Sequence, residues 1–574
     1  MSETVFPALA SRRRLPNLFD LVSIAVVFAV LVAVVHVTRG TLVPLDDRYA
    51  HAVSLDPWNL PAYAFRTTLR MLLALAAALF FTFTYATWAA KSRRAAMLLI
   101  PMLDILQSVP ILGFLTFTVV FFMNLFPGQV LGAELASIFA IFTSQAWNMA
   151  FSFYQSLTTL PGDLVEATRA FRLSPWQRFW KLEVPFAMPG LVWNAMMSMS
   201  GGWFFVVASE AVSVGDNTWM LPGIGSYVAL ALRQQDMAAI GYAILAMAVV
   251  ILLYDQLLFR PLVAWSEKFR FETTQGSTSE EPWLLRLLRR TAWLRAGSEM
   301  LASGFNAFTN LRIGFRLPRL IRASNQPSRI VDMLWGLIVF AMLVWCAWHI
   351  YTFLSGRIAP SDVLQAVLMG CITMLRVIVL MIVATLIWVP IGVAIGLRPH
   401  VARFVQPLVQ FLAAFPANLF FPLFVLVIAR FSLNPDIWLT PLMILGAQWY
   451  IMFNVIAGAA AFPGDMQEAA RGFHIRGFLW WRRVILPGIF PYYVTGAITA
   501  SGGAWNAAIV SEVVTWGPNT LQAHGLGRFI ADASADGNWP RTILGVAVMS
   551  AFVVGFNRAL WKPLFNFATR RLTY

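Results

Sequence analysis

Two repeat-related pairs of ionisable residues fall within otherwise apolar stretches of this chain, Arg70 with Arg376 and Glu210 with Glu512. An Arg, Lys or Asp in a bilayer costs about 2.5–3.5 kcal/mol on insertion scales, so each such residue is a functional candidate by default. A guanidinium at the end of an apolar run can attract an anion, although the same side chain can also simply snorkel to the headgroups. A carboxylate on an anion's route would repel it. Glu210 and Glu512 are therefore expected to hold a gate through hydrogen bonds to the glycine-rich segments that follow them, Gly223-Ile224-Gly225 and Gly525-Leu526-Gly527. Beside them, Ser209, Ser511 and Asn506 offer neutral donors suited to a small oxyanion, and Trp203 and Trp505 either line the same axis or fill a helix interface. Other chemistry is not legible. No Gly-x-x-x-x-Gly-Lys-Ser/Thr phosphate loop is present, the six histidines are dispersed without metal-ligand spacing, and no nucleophile, base and acid can be grouped. The chain is expected to be no enzyme and to hold no cofactor or metal of its own.

The elements that must position these residues are helices in a membrane. Of the 574 residues 59% are hydrophobic and 12% charged, whereas a soluble domain carries about a quarter charged residues. The net charge of +15 would suggest a nucleic-acid partner in a soluble chain. Here it follows topology, because membrane proteins keep Lys and Arg in cytoplasmic loops, and no nucleic acid is expected. Cys346 and Cys371 both lie in apolar runs and read as small buried residues.

A spanning helix needs about 20 mostly apolar residues. The first candidate, about residues 18–37, follows Arg12-Arg13-Arg14. It reads as an uncleaved anchor, since the run is long and no small-residue cleavage site follows. Later spans end alternately in basic loops (Lys91, Arg93, Arg94; then Arg169, Arg172, Arg178, Lys181) and in near-neutral ones (Phe126-Pro127-Gly128-Gln129). This alternation predicts about twelve spans with both termini in the cytoplasm and with membrane lipids as partners. Residues 1–260 form a first repeat with its core at about 60–260. Residues 330–574 form a second, with its core at about 365–565. Residues 261–329 form a basic linker, and within it Trp283–Arg290 and Trp293-Leu294-Arg295 suggest an amphipathic helix on the inner leaflet, with a regulatory or partner-binding role as the sharper reading.

The halves are duplicates. A shift of 302 residues aligns 161–229 with 463–531 without a gap and gives 22 identities in 69 positions. Pro161-Gly162-Asp163 recurs as Pro463-Gly464-Asp465, Glu166-Ala167 as Glu468-Ala469, Trp203 as Trp505, and Ser209-Glu210 as Ser511-Glu512. Upstream the shift becomes 306 and pairs Arg70 with Arg376 and Pro110 with Pro416. With an even number of spans in each half, the repeats are parallel and related by an axis along the membrane normal, which is where a translocation path belongs.

Between the fourth and fifth spans each half carries a basic, aromatic loop of more than twenty residues, more than a hairpin connection requires. In the second half it contains Glu468-Ala469-Ala470-Arg471-Gly472 and Ile485-Leu486-Pro487. This pattern resembles the EAA motif in permease subunits of binding-protein-dependent ABC importers of the type I fold. The tryptophan, Ser-Glu and Gly-Leu-Gly segments are similar to the nitrate/sulfonate/taurine/bicarbonate group of that family. The resemblance implies an all-α membrane fold of two fused six-helix units. It also implies ATPase-coupling residues Glu468, Ala469, Ala470 and Gly472, with Glu166, Ala167 and Ala170 as their first-half partners; there Thr168 replaces the second alanine and Ala170 the glycine. It further implies two cytoplasmic ABC ATPase subunits that bind the ATP and Mg, a periplasmic or lipid-anchored substrate-binding protein, a bacterial inner membrane, and import of a small anion. The rival reading is a secondary transporter driven by an ion gradient. It would need coupling carboxylates within spans; Asp104 is the candidate, but its repeat partner is Gln410.

Overall fold

The computed structural model describes residues 53–108, 111–214, 217–269, 292–311, 329–460, 462, 464–516 and 519–571. The expected first span and the segment 283–290 lie outside them. The first repeat runs through α1 (Leu60–Lys91), α2 (Arg93–Ser108), α3 (Ile111–Leu125), α4 (Val130–Thr158), α5 (Gly162–Ala170) and α6 (Val184–Glu210). A hairpin follows, β1 (Ala211–Val214) and β2 (Asn217–Met220), and then α7 (Ile224–Gln234) and α8 (Met237–Tyr254). The linker contributes α9 (Ala292–Asn310).

The second repeat comprises α10 (Arg329–Leu354), α11 (Pro360–Gly396), α12 (Pro399–Ala414), α13 (Phe421–Arg430), α14 (Gln448–Ala460), α15 (Gly464–Gly472) and α16 (Leu486–Ser511). It continues with β3 (Val513–Trp516), β4 (Asn519–Gln522), α17 (Leu526–Ala535), α18 (Trp539–Phe556) and α19 (Lys562–Arg571).

The duplication extends to backbone irregularities. The π-helical turns Phe179–Glu183 and Asp255–Phe259 recur, 302 residues on, as Trp481–Ile485 and Asn557–Trp561. The third span of the second repeat breaks at its proline: α12 ends at Ala414 before Pro416, since a proline restricts the preceding residue and removes a helix donor. The fourth spans differ. α4 is continuous, whereas its counterpart is bent by 42° between Pro435–Met443 and Gln448–Ala460.

Seven helices among the described residues are long and apolar enough to cross a membrane, or up to nine if each bent pair is one span. The two hairpins were not anticipated from sequence. They pair antiparallel in matching register, Val212 with Trp219 and Val514 with Leu521, and four-residue strands carry too little periodicity to be recognised.

The described residues gather into two compact units. One draws on Thr159–Val192 and Leu253–Leu317; the other on Leu42–Thr158, Trp193–Leu252 and Pro318–Tyr574. In the larger unit α1 packs on α4, and α11 and α16 pack on α14. Lipid tails are as apolar as leucine, so helices in a bilayer associate through close packing and small residues rather than through the hydrophobic effect. Gly392 and Gly396 form such a stripe on α11: a Cβ at Gly392 would meet Val455, and one at Gly396 would meet Ala459 and the Ile456 carbonyl. Large apolar side chains instead point outward on α10 and α11, among them Phe340, Trp345, Leu364 and Leu386, as lipid contact requires. Cys371 is exposed on α11, contrary to the buried place expected for it.

Gly396→Leu should strain the α11–α14 contact and cost about 1–3 kcal/mol, the usual penalty of overpacking. The control Gly555→Leu, where a Cβ meets nothing within 4 Å, should be near neutral. Melting temperatures of the detergent-purified chain compare them, and an equal drop in both would refute the packing account.

Candidate functional site

The nominated charges do not stand alone. Arg70 on α1 is 3% exposed. Its guanidinium donates two parallel bonds to Glu134 on α4, Nε to Oε2 at 2.5 Å and Nη2 to Oε1 at 2.6 Å. It also donates from Nη1 to Glu210 Oε1 at 2.7 Å and from Nη2 to the Pro222 carbonyl at 3.1 Å. A charge-assisted fork of this kind is strong and directional. Thr67, one turn before Arg70, donates to Glu210 Oε1 (2.7 Å) and accepts from the Ile224 N–H (3.1 Å). The Gly225 N–H donates to Glu210 Oε2 at 2.7 Å. Thus α1, α4, the end of α6 and the start of α7 meet in one buried ionic knot.

The second repeat reproduces the knot with looser geometry. Arg376 reaches Glu512 Oε1 at 3.2 Å and Asp436 Oδ1 at 3.0 Å. Thr373 donates to Glu512 (2.8 Å) and accepts from Leu526 N–H (2.9 Å), and Gly527 N–H donates to Glu512 Oε2 (2.7 Å). Asp436 makes a single bond to Arg376 where Glu134 makes a bidentate fork. Its spare capacity is used by His524, whose N–H donates at 2.7 Å and whose Nδ1 lies 3.0 Å from Oδ2. The Asp436 side chain is 38% exposed and that of Glu134 7%, so one knot is sealed and the other open at its rim. The repeat places Glu134 and Asp436 302 residues apart. Sequence reading missed this pair, although the shift already in hand would have found it.

The glycines are explained by close approach. A Cβ at Gly223 or Gly525 would collide with the Glu210 or Glu512 carboxylate, and one at Gly225 or Gly527 with the Val207 or Ala508 carbonyl.

Several readings change. Arg70 and Arg376 neither snorkel nor stand free to attract an anion, because each guanidinium is bound by two carboxylates. Trp203 and Trp505 are each 1% exposed and fill helix interfaces, Trp505 with Phe552 at 6.4 Å. Ser209 shares a hydrogen bond with Ser137 (2.8 Å) and donates to the Val206 carbonyl (3.2 Å), and Ser511 is fully buried. Asn506 accepts from the Ile111 N–H at 2.7 Å, a bond between the repeats, and donates to the Gly502 carbonyl.

At the other end of α16, about 39 Å from Glu512 at 1.5 Å per residue over its 26 residues, lies the loop that carries Glu468-Ala469-Ala470. On α15, Glu468, Ala469 and Gly472 are exposed, and a Cβ at Gly472 would meet nothing within 4 Å. Ala470 is 4% exposed and packs inward. On α5, Glu166, Ala167 and Ala170 are exposed, and Thr168 is buried with its hydroxyl on the Val165 carbonyl. The third motif position therefore supports each helix from behind instead of facing outward. After each helix an exposed aromatic, Phe171 or Phe473, precedes a residue in the left-handed region, Arg172 (φ 48°) or His474 (φ 53°).

Structure and site together define a multi-pass permease built from two copies of one unit. Residues 83–259 and 388–560 each match the family of binding-protein-dependent transport system inner membrane components, and the chain belongs to that family. Curated relatives include the bicarbonate transport system permease protein CmpB of Synechococcus elongatus, 28% identical over 29% of this chain and 58% of its own length. The nitrate import permease protein NrtB of Leptolyngbya laminosa is 27% identical over 34% of this chain and 65% of its own. The glycine betaine/proline betaine transport system permease protein ProW of Escherichia coli is 27% identical over 30% and 44%. The chain thus spans about half to two thirds of the length of these relatives.

Removing one partner of a buried ion pair leaves an uncompensated charge and costs about 3–5 kcal/mol. Arg70→Leu should therefore lower thermal stability in detergent by that order, and Arg376→Leu by less, because water reaches Asp436. Equal losses would contradict the contrast between a sealed and an open knot. His474→Gly should relieve an unfavourable left-handed backbone and stabilise by about 1 kcal/mol, read in the same melts.

Proposed function

We propose that this chain is the transmembrane subunit of an ATP-driven importer, two permease units fused in one polypeptide of a bacterial inner membrane, moving a small anion of the nitrate, sulfonate, taurine or bicarbonate type. The observation that carries the reading is the repeated docking helix. α5 and α15 fall at identical repeat positions, and each exposes a Glu-Ala pair. A short helix with a small-residue face suits insertion into a groove of another protein. The chain lacks a phosphate-binding loop, so two cytoplasmic ATPase subunits supply ATP and Mg, and a soluble or lipid-anchored binding protein delivers the substrate to the opposite face. With both termini cytoplasmic, the knots lie at the periplasmic end. The relatives' names, covering bicarbonate, nitrate and betaine transport, support a small solute bearing an oxyanion.

Magnitudes indicate how such a gate would part. Separating Arg70 or Arg376 from its carboxylates in a dry site costs several kcal/mol, so each knot travels as a rigid block with its own repeat. Between the repeats, Asn506 contributes one neutral hydrogen bond to Ile111, worth about 0.5–1.5 kcal/mol net. The outer gate therefore opens between the blocks. Glu210 and Glu512 hold these blocks together and do not contact the substrate.

Glu468→Arg or Gly472→Arg should abolish import while leaving the chain inserted and stable; unchanged uptake would remove the docking role. Copurification with an ATPase, and no transport by the chain alone in liposomes under an ion gradient, separates this reading from a secondary transporter. Stimulation of ATP hydrolysis in the assembled complex by binding protein loaded with nitrate, bicarbonate, taurine or an aliphatic sulfonate identifies the substrate.

A further inference from the structure

The two docking loops have different flanks. In the first, the linker helix α9 ends against the turn that follows α5. The last carbonyls of a helix have no intrahelical partner, and here the loop supplies them. Trp176 Nε1 donates to the Phe308 carbonyl at 2.9 Å and Gln177 Nε2 to the Asn310 carbonyl at 3.0 Å, while Lys181 Nζ reaches Asn310 Oδ1 at 2.5 Å. Gln177 is held for this by a capping box, its Oε1 accepting from the Ser174 N–H and its own N–H donating to Ser174 Oγ. Trp176 and Trp180 pack edge-on against Phe308 at 4.9 and 5.7 Å. Thr309 is buried at this seam.

In the second loop the same positions, 302 residues on, are Phe478 and Leu479, which are 79% and 46% exposed. Arg476 stands in place of Ser174 and makes no cap. What the linker covers on one loop is left as bare apolar surface on the other, continuous with the exposed Phe473 and the docking helix α15.

We propose that α9 is an intramolecular partner of the first docking loop, and that the two loops therefore grip their ATPase subunits unequally: the second through α15 together with its bare aromatic flank, the first through α5 alone with the linker locked beside it. This rests on the docking reading of the loops. The occupant of the second flank is the ATPase subunit, because the flank adjoins α15 within one loop and that loop also exposes basic Arg471, Arg476, Arg482 and Arg483, so it suits an apolar patch rimmed by acidic residues.

The test uses the full chain with its ATPase and binding protein in nanodiscs. ATPase affinity is measured for Phe478→Ser and for Trp176→Ser. Accessibility of the linker seam is measured by maleimide labelling of Thr309→Cys in a Cys346→Ser, Cys371→Ser background. Phe478→Ser should weaken ATPase binding about tenfold, the loss expected for one large apolar contact. Trp176→Ser should weaken it by less than about threefold while Thr309→Cys labelling rises severalfold. Gln177→Leu, which keeps the tryptophan packing and removes only the polar tie, should raise labelling in the same direction if Trp176→Ser proves unstable. Equal loss of ATPase binding from both flank variants, or labelling unchanged in both Trp176→Ser and Gln177→Leu, would overturn the inference. Undiminished ATPase binding by Glu468→Arg would instead sink the docking reading on which it rests.

Discussion

A guanidinium that cannot reach water must be met by carboxylate, carbonyl and hydroxyl oxygens, and this requirement organises each permease unit. Arg70 draws Glu134 from α4 and Glu210 from α6 to one point and holds the Pro222 carbonyl beside them. Glu210, with its oxygens filled by Arg70, Thr67 and the Gly225 N–H, fixes where α7 begins. The glycines follow from that geometry, since a side chain at Gly223 would occupy the carboxylate's own space. Apolar packing alone would let these helices slide, because lipid competes equally for apolar surface. The ionic knot gives them a single register.

The repeats then diverge around a shared plan. Glutamate at 134 is long enough to grip the guanidinium with both oxygens. Aspartate at 436 is one methylene shorter, holds it with one, and is open to water and to His524. The fourth spans diverge alike, continuous in the first repeat and bent in the second. The loops that carry the Glu-Ala pairs differ again: the linker helix packs on the flank of the first, while Phe478 and Leu479 are exposed on the second. Fusion of two units in one chain permits this, since each half can change without imposing the same change on its partner.

Much of this was legible in the sequence. The duplication, the apolar spans, the repeated Glu-Ala helices and the Glu–glycine association all follow from identities at fixed shifts and from composition. Arg70 and Arg376 were singled out as candidates to attract an anion, and the carboxylates that hold them, Glu134 and Asp436 among them, were not foreseen. Glu134 sits near the start of a span among small residues, and its significance rests on being 302 residues from Asp436 and within reach of Arg70, a distance in space that no local pattern encodes. Ser209 and Asn506 were read as free donors because their partners, Ser137 and the Ile111 N–H, lie 72 and 395 residues away. The amphipathic pattern of the linker was read at 283–290 and 293–295, and 283–290 lie outside the described residues, whereas α9 starts at Ala292. That pattern specifies an apolar face and leaves open what covers it, and the C-terminal end of α9 packs on the first docking loop.

By itself, the sequence determined the class of the protein: a duplicated, multi-pass permease with a doubled docking motif, because hydropathy, charge asymmetry and internal identity are properties of the chain as a line. The tertiary structure decided which charges are sealed and which are reachable, which motif alanine faces outward, and which of the two Glu-Ala loops has the linker helix packed on its flank. Those depend on which oxygens, rings and carbonyls from distant segments converge within hydrogen-bond or van der Waals range. In a low-dielectric interior that convergence sets the cost of every charge.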